Sequence, residues 1–167
     1  MAMRIVVTGS DQPFDGAGQL WRATEGEPAY RRAFDVPQGS VLDPTSYPGM
    51  TEHLWIGQQL NPGEMAAPAG SRALLIVAQE PTEGFEVEFA DWMDTEHVPA
   101  LSAVPGVLAA RRYEAISGQP RYLAIYHLSD AAVCGSPDWT QAASTSWTQA
   151  MRAHTQNRVR ALYLLAD

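Results

Sequence analysis

Apolar residues fall along this chain in two rhythms, short β-branched or alternating runs and one longer stripe at helical spacing. The first rhythm predicts strands. MRIVVT (3–8), GQLWRA (18–23), AYRRAFDV (29–36) and EHLWIGQQL (52–60) supply four, the middle two forming a hairpin across TEGEP. Gly, Pro and Asp punctuate 9–18 and 37–49 without apolar periodicity, which predicts loops there, and NPGEMAAPAG (61–70) has the composition of a linker. SRALLIVAQE (71–80), LAARRYEAI (108–116), RYLAIYHLS (121–129) and NRVRALYLLAD (157–167) predict four more strands. Ser136-Pro137-Asp138-Trp139 marks a helix start: Ser as N-cap, Pro in the first turn, an early Asp favoured by the helix dipole. Helical character then runs to about His154, with a break around Ser144 to Ser146.

The helical stripe lies in FEVEFADWMDTEHVP. Phe85, Phe89, Trp92 and Met93 share one face, with Glu86, Glu88 and Asp91 on the other. Continued by one turn, the stripe lands on Glu96 and His97, where a packing helix would carry Leu. Pro99 is expected to end the helix just beyond them. A buried stripe that runs into a histidine and a carboxylate is what a helix closing a polar pocket looks like.

The second half therefore has the order β-α-β-β-α-β, a split βαβ of the ferredoxin-like kind. It also has a partner in the first half. GQLWRATEGEPAYRRAFDV (18–36) aligns without gaps on ARRYEAISGQPRYLAIYHL (110–128), matching Trp21 with Tyr113, Gly26 with Gly118, Pro28 with Pro120 and Phe34 with Tyr126. Residues 1–60 are expected to be a degenerate copy that kept four strands and lost its helices, with 61–70 the linker and 71–167 the complete repeat. A helix-poor sheet cannot cover both its faces, so it should pack on the second sheet. The expected fold is α+β: a ferredoxin-like repeat plus a helix-poor four-stranded repeat, closing a pseudo-dimeric α/β barrel in one chain.

Composition narrows the partners. The chain has 167 residues, enough for one good core, and its 11 basic against 19 acidic residues leave it at −8. No run of basic residues occurs, so neither nucleic acid nor an anionic membrane is an expected partner. Cys134 is the sole cysteine, which rules out an intrachain disulfide. Without a leader-like start or an 18-residue apolar run, the expected location is the cytoplasm. A dedicated metal site is not expected, because no histidines are spaced i, i+4 and no HxH occurs. The absence of GxGxxG, P-loop and GxSxG patterns argues against nucleotide cofactors and an activated serine, and the expectation is no cofactor. A flavin or haem held by shape alone stays open.

The second half resembles the dimeric α/β-barrel superfamily and, within it, the EthD-like proteins. The resemblance rests on W-x-D-x-E-H-x-P from Trp92 to Pro99, VPG (104–106), ARRY (110–113), GQPRYLAIYHL and SPDW. It implies facing ferredoxin-like sheets with a ligand pocket between sheet and helices. Known activities of the superfamily include cofactor-free cyclisation and isomerisation, monooxygenation and haem handling. It also raises the standing of His97.

Imidazole titrates near ~6.5 when unperturbed, so His97 is the candidate general acid/base, with Glu96 or Asp94 to orient it or hold its charge. The competing role is a helix C-terminal cap, and Asp94 and Glu96, taken separately, read first as solvated charges or partners of Arg111 and Arg112. His127 is expected near the surface at a strand end, sharing a face with Leu123 and Ile125. His53 and His154 have no supporting context. Trp92, Met93, Tyr113, Tyr122, Tyr126 and Trp147 are core candidates that could line a cavity for an aromatic or polyketide-like ligand. The leading expectation is a cyclase, isomerase or lyase acting on a small, largely apolar metabolite. A monooxygenase or haem-handling enzyme is the alternative, and a non-catalytic binding protein the third. The expected assembly is a monomer with an internal pseudo-dimer, or a homodimer.

Overall fold

The computed structural model describes residues 3–43, 53–60 and 63–166. Its strands are β1 (Arg4–Ser10), β2 (Gln19–Glu25), β3 (Tyr30–Val36), β4 (Trp55–Gln59), β5 (Ala73–Pro81), β6 (Val107–Ser117), β7 (Tyr122–Leu128) and β8 (Thr155–Leu165). They close into one barrel in the order β1-β3-β2-β8-β5-β7-β6-β4, every neighbouring pair antiparallel. The order resolves into two halves with the same internal arrangement, β4-β1-β3-β2 and β8-β5-β7-β6. The seams are β2–β8 and β4–β6, so each half lends its last strand to the other. Closure removes the free edges that two open sheets would expose.

The matched turns occupy matched places. Gly26 and Gly118 both have positive φ, 86° and 100°, and both precede a cis X-Pro bond. Each presses on the last strand of the opposite half: a Cβ on Gly26 would lie 2.7 Å from Ala161 Cβ, and one on Gly118 would lie 2.9 Å from Trp55 Cδ1. Trp55 Nε1 donates to Pro120 O (2.8 Å), and Tyr163 Oη donates to Pro28 O (3.1 Å). An aromatic donor from each fourth strand thus pins the other half's turn.

Alternation along the strands makes two cores. Ile5, Val7, Trp21, Trp55, Leu74, Ile76, Tyr113, Leu123, Ile125 and Tyr163 point into the barrel. The intervening residues of β5 and β7, among them Leu75, Ala124, Tyr126 and Leu128, face outward under the helices. No helix covers the first half's sheet among the described residues. There the loop after β1 lies against it instead, with Arg32 donating to Phe14 O (2.9 Å) and Gly18 O (2.6 Å).

The helical stripe continues further than expected. It forms α1 (Glu86–Trp92), a π-helical turn (Met93–His97) and α2 (Val98–Ser102). Pro99 does not end the helix, because it sits in the first turn of α2, where a missing N–H costs nothing. The π turn just upstream is where the hydrogen-bond ladder changes step. Phe89 and Trp92 are 1% and 3% exposed, and truncating either to Ala should cost about 3–5 kcal/mol. Later in the chain Ser136 caps α3 (Pro137–Ala142), and Thr145 caps α4 (Ser146–Arg152) across the expected break. A 3-10 turn at Ala131–Gly135, capped by Asp130, was not expected.

Candidate functional site

Between the outer face of β5–β7–β8 and the helices lies a cavity of about 120 Å³. Trp92, Met93 and His97 line it from α1 and the π turn, Tyr126 from β7, Thr148 and Arg152 from α4, and Arg158 from β8. Trp92 and His97 are stacked at a tilt, ring centroids 4.4 Å apart. The π turn puts one extra residue into a single revolution of helix, which brings His97 onto Trp92 and toward α4 rather than past it.

The hydrogen bonds here determine which nitrogen of His97 carries the proton. Thr145 Oγ1 lies 2.5 Å from Glu96 Oε1, and a carboxylate only accepts, so the Thr145 hydroxyl donates to it. Thr145 Oγ1 in turn accepts from the Thr148 amide (3.1 Å) and the Thr148 hydroxyl (2.9 Å). With its proton spent there, Thr148 Oγ1 accepts from Trp92 Nε1 (3.1 Å) and from His97 Nδ1 (3.3 Å). Each hydroxyl in this chain donates once and accepts twice. His97 is left with its proton on Nδ1 and a bare Nε2, which has no partner among the described residues.

Burial, then the charges of Arg152, Arg158 and Arg112, lower the pKa of His97 to about 4. The imidazole is therefore neutral at pH 7, a proton acceptor rather than a donor. Arg158 is an exposed residue that makes no hydrogen bond or ion pair among the described residues; partial desolvation, then Arg160 and Arg152, lower its pKa. Arg152 gives one N–H to Ala143 O (3.0 Å). The cavity thus sets a base beside guanidinium groups, suited to a substrate oxygen that gains negative charge.

The other expected residues divide. Trp92, Met93 and Tyr126 line the cavity, and burial raises the pKa of Tyr126, which stays a neutral phenol. Glu96 reaches His97 only through the two threonines. Asp94 is turned away and pairs with Arg112. Trp147 donates to Glu88 (3.3 Å) and Tyr122 packs on Phe89 (ring centroids 5.2 Å), both outside the lining. Tyr113 is on the wrong side of the sheet. It pairs with Leu123, so it shares that residue's inward face and cannot meet Trp92.

Inside the barrel at one end is a second polar cluster. His127 is 4% exposed, not a surface residue as expected. Arg111 Nε donates to His127 Nε2 (3.1 Å), and Arg111 Nη1 crosses to Asp35 Oδ1 (2.6 Å) on the opposite wall. An Arg N–H can only donate, so His127 is neutral with its proton on Nδ1, facing Ser71 Oγ at 3.2 Å. Burial and Arg111 lower its pKa to about 3. The segment 63–70 lies over this end: Ala67 N donates to Asp35 Oδ2 (2.9 Å), and the Gln59 amide brackets Met65 N and O. The buried Tyr113 hydroxyl has no hydrogen-bond partner among the described residues, and burial raises its pKa.

Sequence reasoning missed Thr145, Thr148, Arg152 and Arg158 at the outer cavity, and Asp35 and Ser71 at the barrel end. Only Asp35 had a usable signal: the repeat alignment sets it opposite His127, two polar residues on inward positions. Among the described residues no group of His, Cys, Asp and Glu could hold a metal ion, and no helix is long and apolar enough to cross a membrane.

No protein-family model matches this sequence, and no curated protein sequence matches it either. Solved structures do. The chain is similar to a major regulator of staphylococcal pathogenesis, with TM-score 0.66 and 10% identity over 98% of this chain and 99% of that one. It is similar to a ferredoxin-fold protein from Listeria monocytogenes related to antibiotic biosynthesis monooxygenases (0.65, 8%, 99% and 95%). A putative chlorite dismutase gives 0.63 and 10%, over 100% and 96%. At these identities the likeness shows the fold, a ferredoxin-like α+β barrel. The narrower EthD-like grouping rests on the residue motif alone.

Proposed function

We propose that this protein is a cofactor-independent cyclase, isomerase or lyase that moves protons on a small, largely apolar metabolite, aromatic or polyketide-like, bearing a carbonyl or phenol oxygen. One observation carries this: His97 has its proton fixed on Nδ1 by Thr148 and a bare Nε2 at a cavity flanked by guanidinium groups. Nε2 takes a proton from the carbon or hydroxyl next to the substrate oxygen, and Arg158, with Arg152, stabilises the oxyanion as it forms. The imidazolium, a strong acid given its lowered pKa, returns the proton elsewhere on the substrate. Trp92, Met93 and Tyr126 hold the apolar part. At about 120 Å³ the cavity takes a small molecule, or the reacting end of a longer one.

A monooxygenase is the second reading, favoured by the likeness to a relative of antibiotic biosynthesis monooxygenases. The haem-handling alternative draws on the likeness to a putative chlorite dismutase, and would need more room than the about 120 Å³ between Trp92, Trp139 and the sheet. We also divide the chain into a degenerate repeat (1–60), a linker (61–70) and a complete repeat carrying the site (71–167). Closure of the barrel within one chain supports a monomer, and the likeness to dimeric chlorite dismutases (TM-score 0.53, 13% identity) supports a homodimer.

The test is incubation with a panel of aryl ketones and β-dicarbonyl compounds in D₂O under nitrogen, read by mass shift. Deuterium should enter next to the carbonyl without dioxygen, and His97→Gln should suppress it. Turnover that stops when oxygen is withdrawn transfers the protein to the monooxygenase class. Ligand binding with neither exchange nor turnover makes it a binding protein.

A further inference from the structure

The two ends of the barrel are finished differently. Arg111, His127, Asp35 and Ser71 plug one. At the other, the inward positions shrink to Ala78 on β5 and Ala161 on β8, beside Ile76, Leu123 and Trp55, and a cavity of about 540 Å³ remains. Gly57 helps keep it open. The far edge of the Trp55 indole lies against that glycine, where a Cβ would come within 2.2 Å of Cζ3, so no larger residue fits there beside the ring that lines the cavity. Its N–H is spent on Pro120 O, leaving the ring as an apolar surface.

The rim carries one organised cation. Arg31 on β3 donates through Nε to Tyr163 Oη (2.8 Å), and Tyr163 is anchored in turn on Glu27 O (3.0 Å) and Pro28 O (3.1 Å). The guanidinium lies 5.9 Å from the Tyr163 ring centroid. Both Nη groups have no hydrogen-bond partner among the described residues, and Glu27, also on the rim, makes no ion pair with them. Tethering by Nε pre-orients an arginine whose planar N–H pairs match a carboxylate. The volume lies within the ~300–1,000 Å³ usual for small-molecule sites.

We propose that the open end of the barrel is a second binding site, for a small acid with one carboxylate and a flat or short apolar body. Arg31 takes the carboxylate at the rim, and Trp55, Ile76, Ala78 and Leu123 enclose the body. The site stands apart from the His97 cavity: alternate residues of β5 face each, Ile76 and Ala78 one, Leu75 and Val77 the other. It does not depend on the function proposed for that cavity.

Calorimetric titration of the full chain with 2-naphthoate and with neutral 2-naphthamide tests it, alongside quenching of tryptophan fluorescence. The acid should bind at least about 10-fold more tightly than the amide, and Arg31→Gln should abolish that preference while the amide still binds. Retained amide binding shows that the variant is folded. Arg158→Gln, at the other cavity, should change neither affinity. Equal affinity for acid and amide overturns the proposal. So does an acid preference that survives Arg31→Gln or disappears in Arg158→Gln, or no binding of the acid at about 5 mM.

Discussion

Two histidines of this chain, His97 and His127, are largely buried, neutral, and carry their proton on Nδ1, where each faces a hydroxyl (Thr148 and Ser71). The difference is at Nε2. In His127 an arginine N–H occupies it, so the ring is a fixed brace between two walls of the barrel. In His97 it is bare and the ring lines a cavity. Burial and a lowered pKa therefore do not identify a working histidine. The free lone pair does.

The largest effect should come from breaking the brace. Arg111→Leu leaves the Asp35 carboxylate and His127 Nε2 buried without their partner, a loss of about 3–5 kcal/mol. Urea denaturation should show it, with deuterium exchange by the folded fraction within about threefold of wild type. Adding Asp35→Leu should restore part of the stability, since the stranded charge is then gone. A loss under about 1 kcal/mol would mean the brace carries little.

The converse substitution acts on rate. His97→Gln keeps a hydrogen bond to Thr148 but cannot take a proton, and should lower exchange by at least about 10²-fold with the thermal midpoint little changed. Activity within about threefold of wild type would retire His97 as the base. If the histidine only caps a helix turn, the same variant should instead lose roughly 0.5–2 kcal/mol of stability.

Strand alternation and the repeat were enough to predict eight strands, their order in the second half and the pairing of the two G-x-P turns, because period and turn chemistry are local. The stripe from Phe85 to Met93 likewise placed Trp92, Met93 and His97 at a cavity. Tyr113 went wrong for a reason of register: one residue of offset between β6 and β7 decides which face it takes, and the expectation grouped tyrosines by strand, not by face. The length of the helix was missed because Pro99 reads as its stop, and the π turn just before that proline leaves no mark in hydrophobic spacing. Thr145, Thr148 and Arg158 were illegible, since they join His97 only through contacts from some 50 residues away or more.

Acid separates the histidines in stability. Both have folded pKa values, about 3 for His127 and about 4 for His97, below the ordinary 6.5. The unfolded chain therefore takes up protons first, and stability is lost as pH falls from about 6.5 toward 4 and then 3. His127→Gln can still accept from Arg111 and donate to Ser71, but does not titrate. Between pH 6 and 4.5 it should flatten the stability curve by up to about 1.4 kcal/mol per pH unit. An unchanged slope, from urea midpoints across that range, would mean that His127 is not held neutral.

The smallest and most specific effect belongs to Glu96, at the far end of the chain of hydroxyls from His97. Glu96→Gln keeps an oxygen for Thr145 to donate to and removes only the charge. If that charge steadies the imidazolium through Thr145 and Thr148, exchange should slow by about 3- to 10-fold, far less than in His97→Gln. The rate of the wild type should fall as pH drops through about 4, the pKa of His97, rather than through 6.5. In Glu96→Gln that inflection should move lower still, because losing a nearby negative charge makes the ring harder to protonate. An inflection that moves upward, or a rate equal to wild type, would show that Glu96 merely caps Thr145, and that His97 works on the two hydroxyls alone.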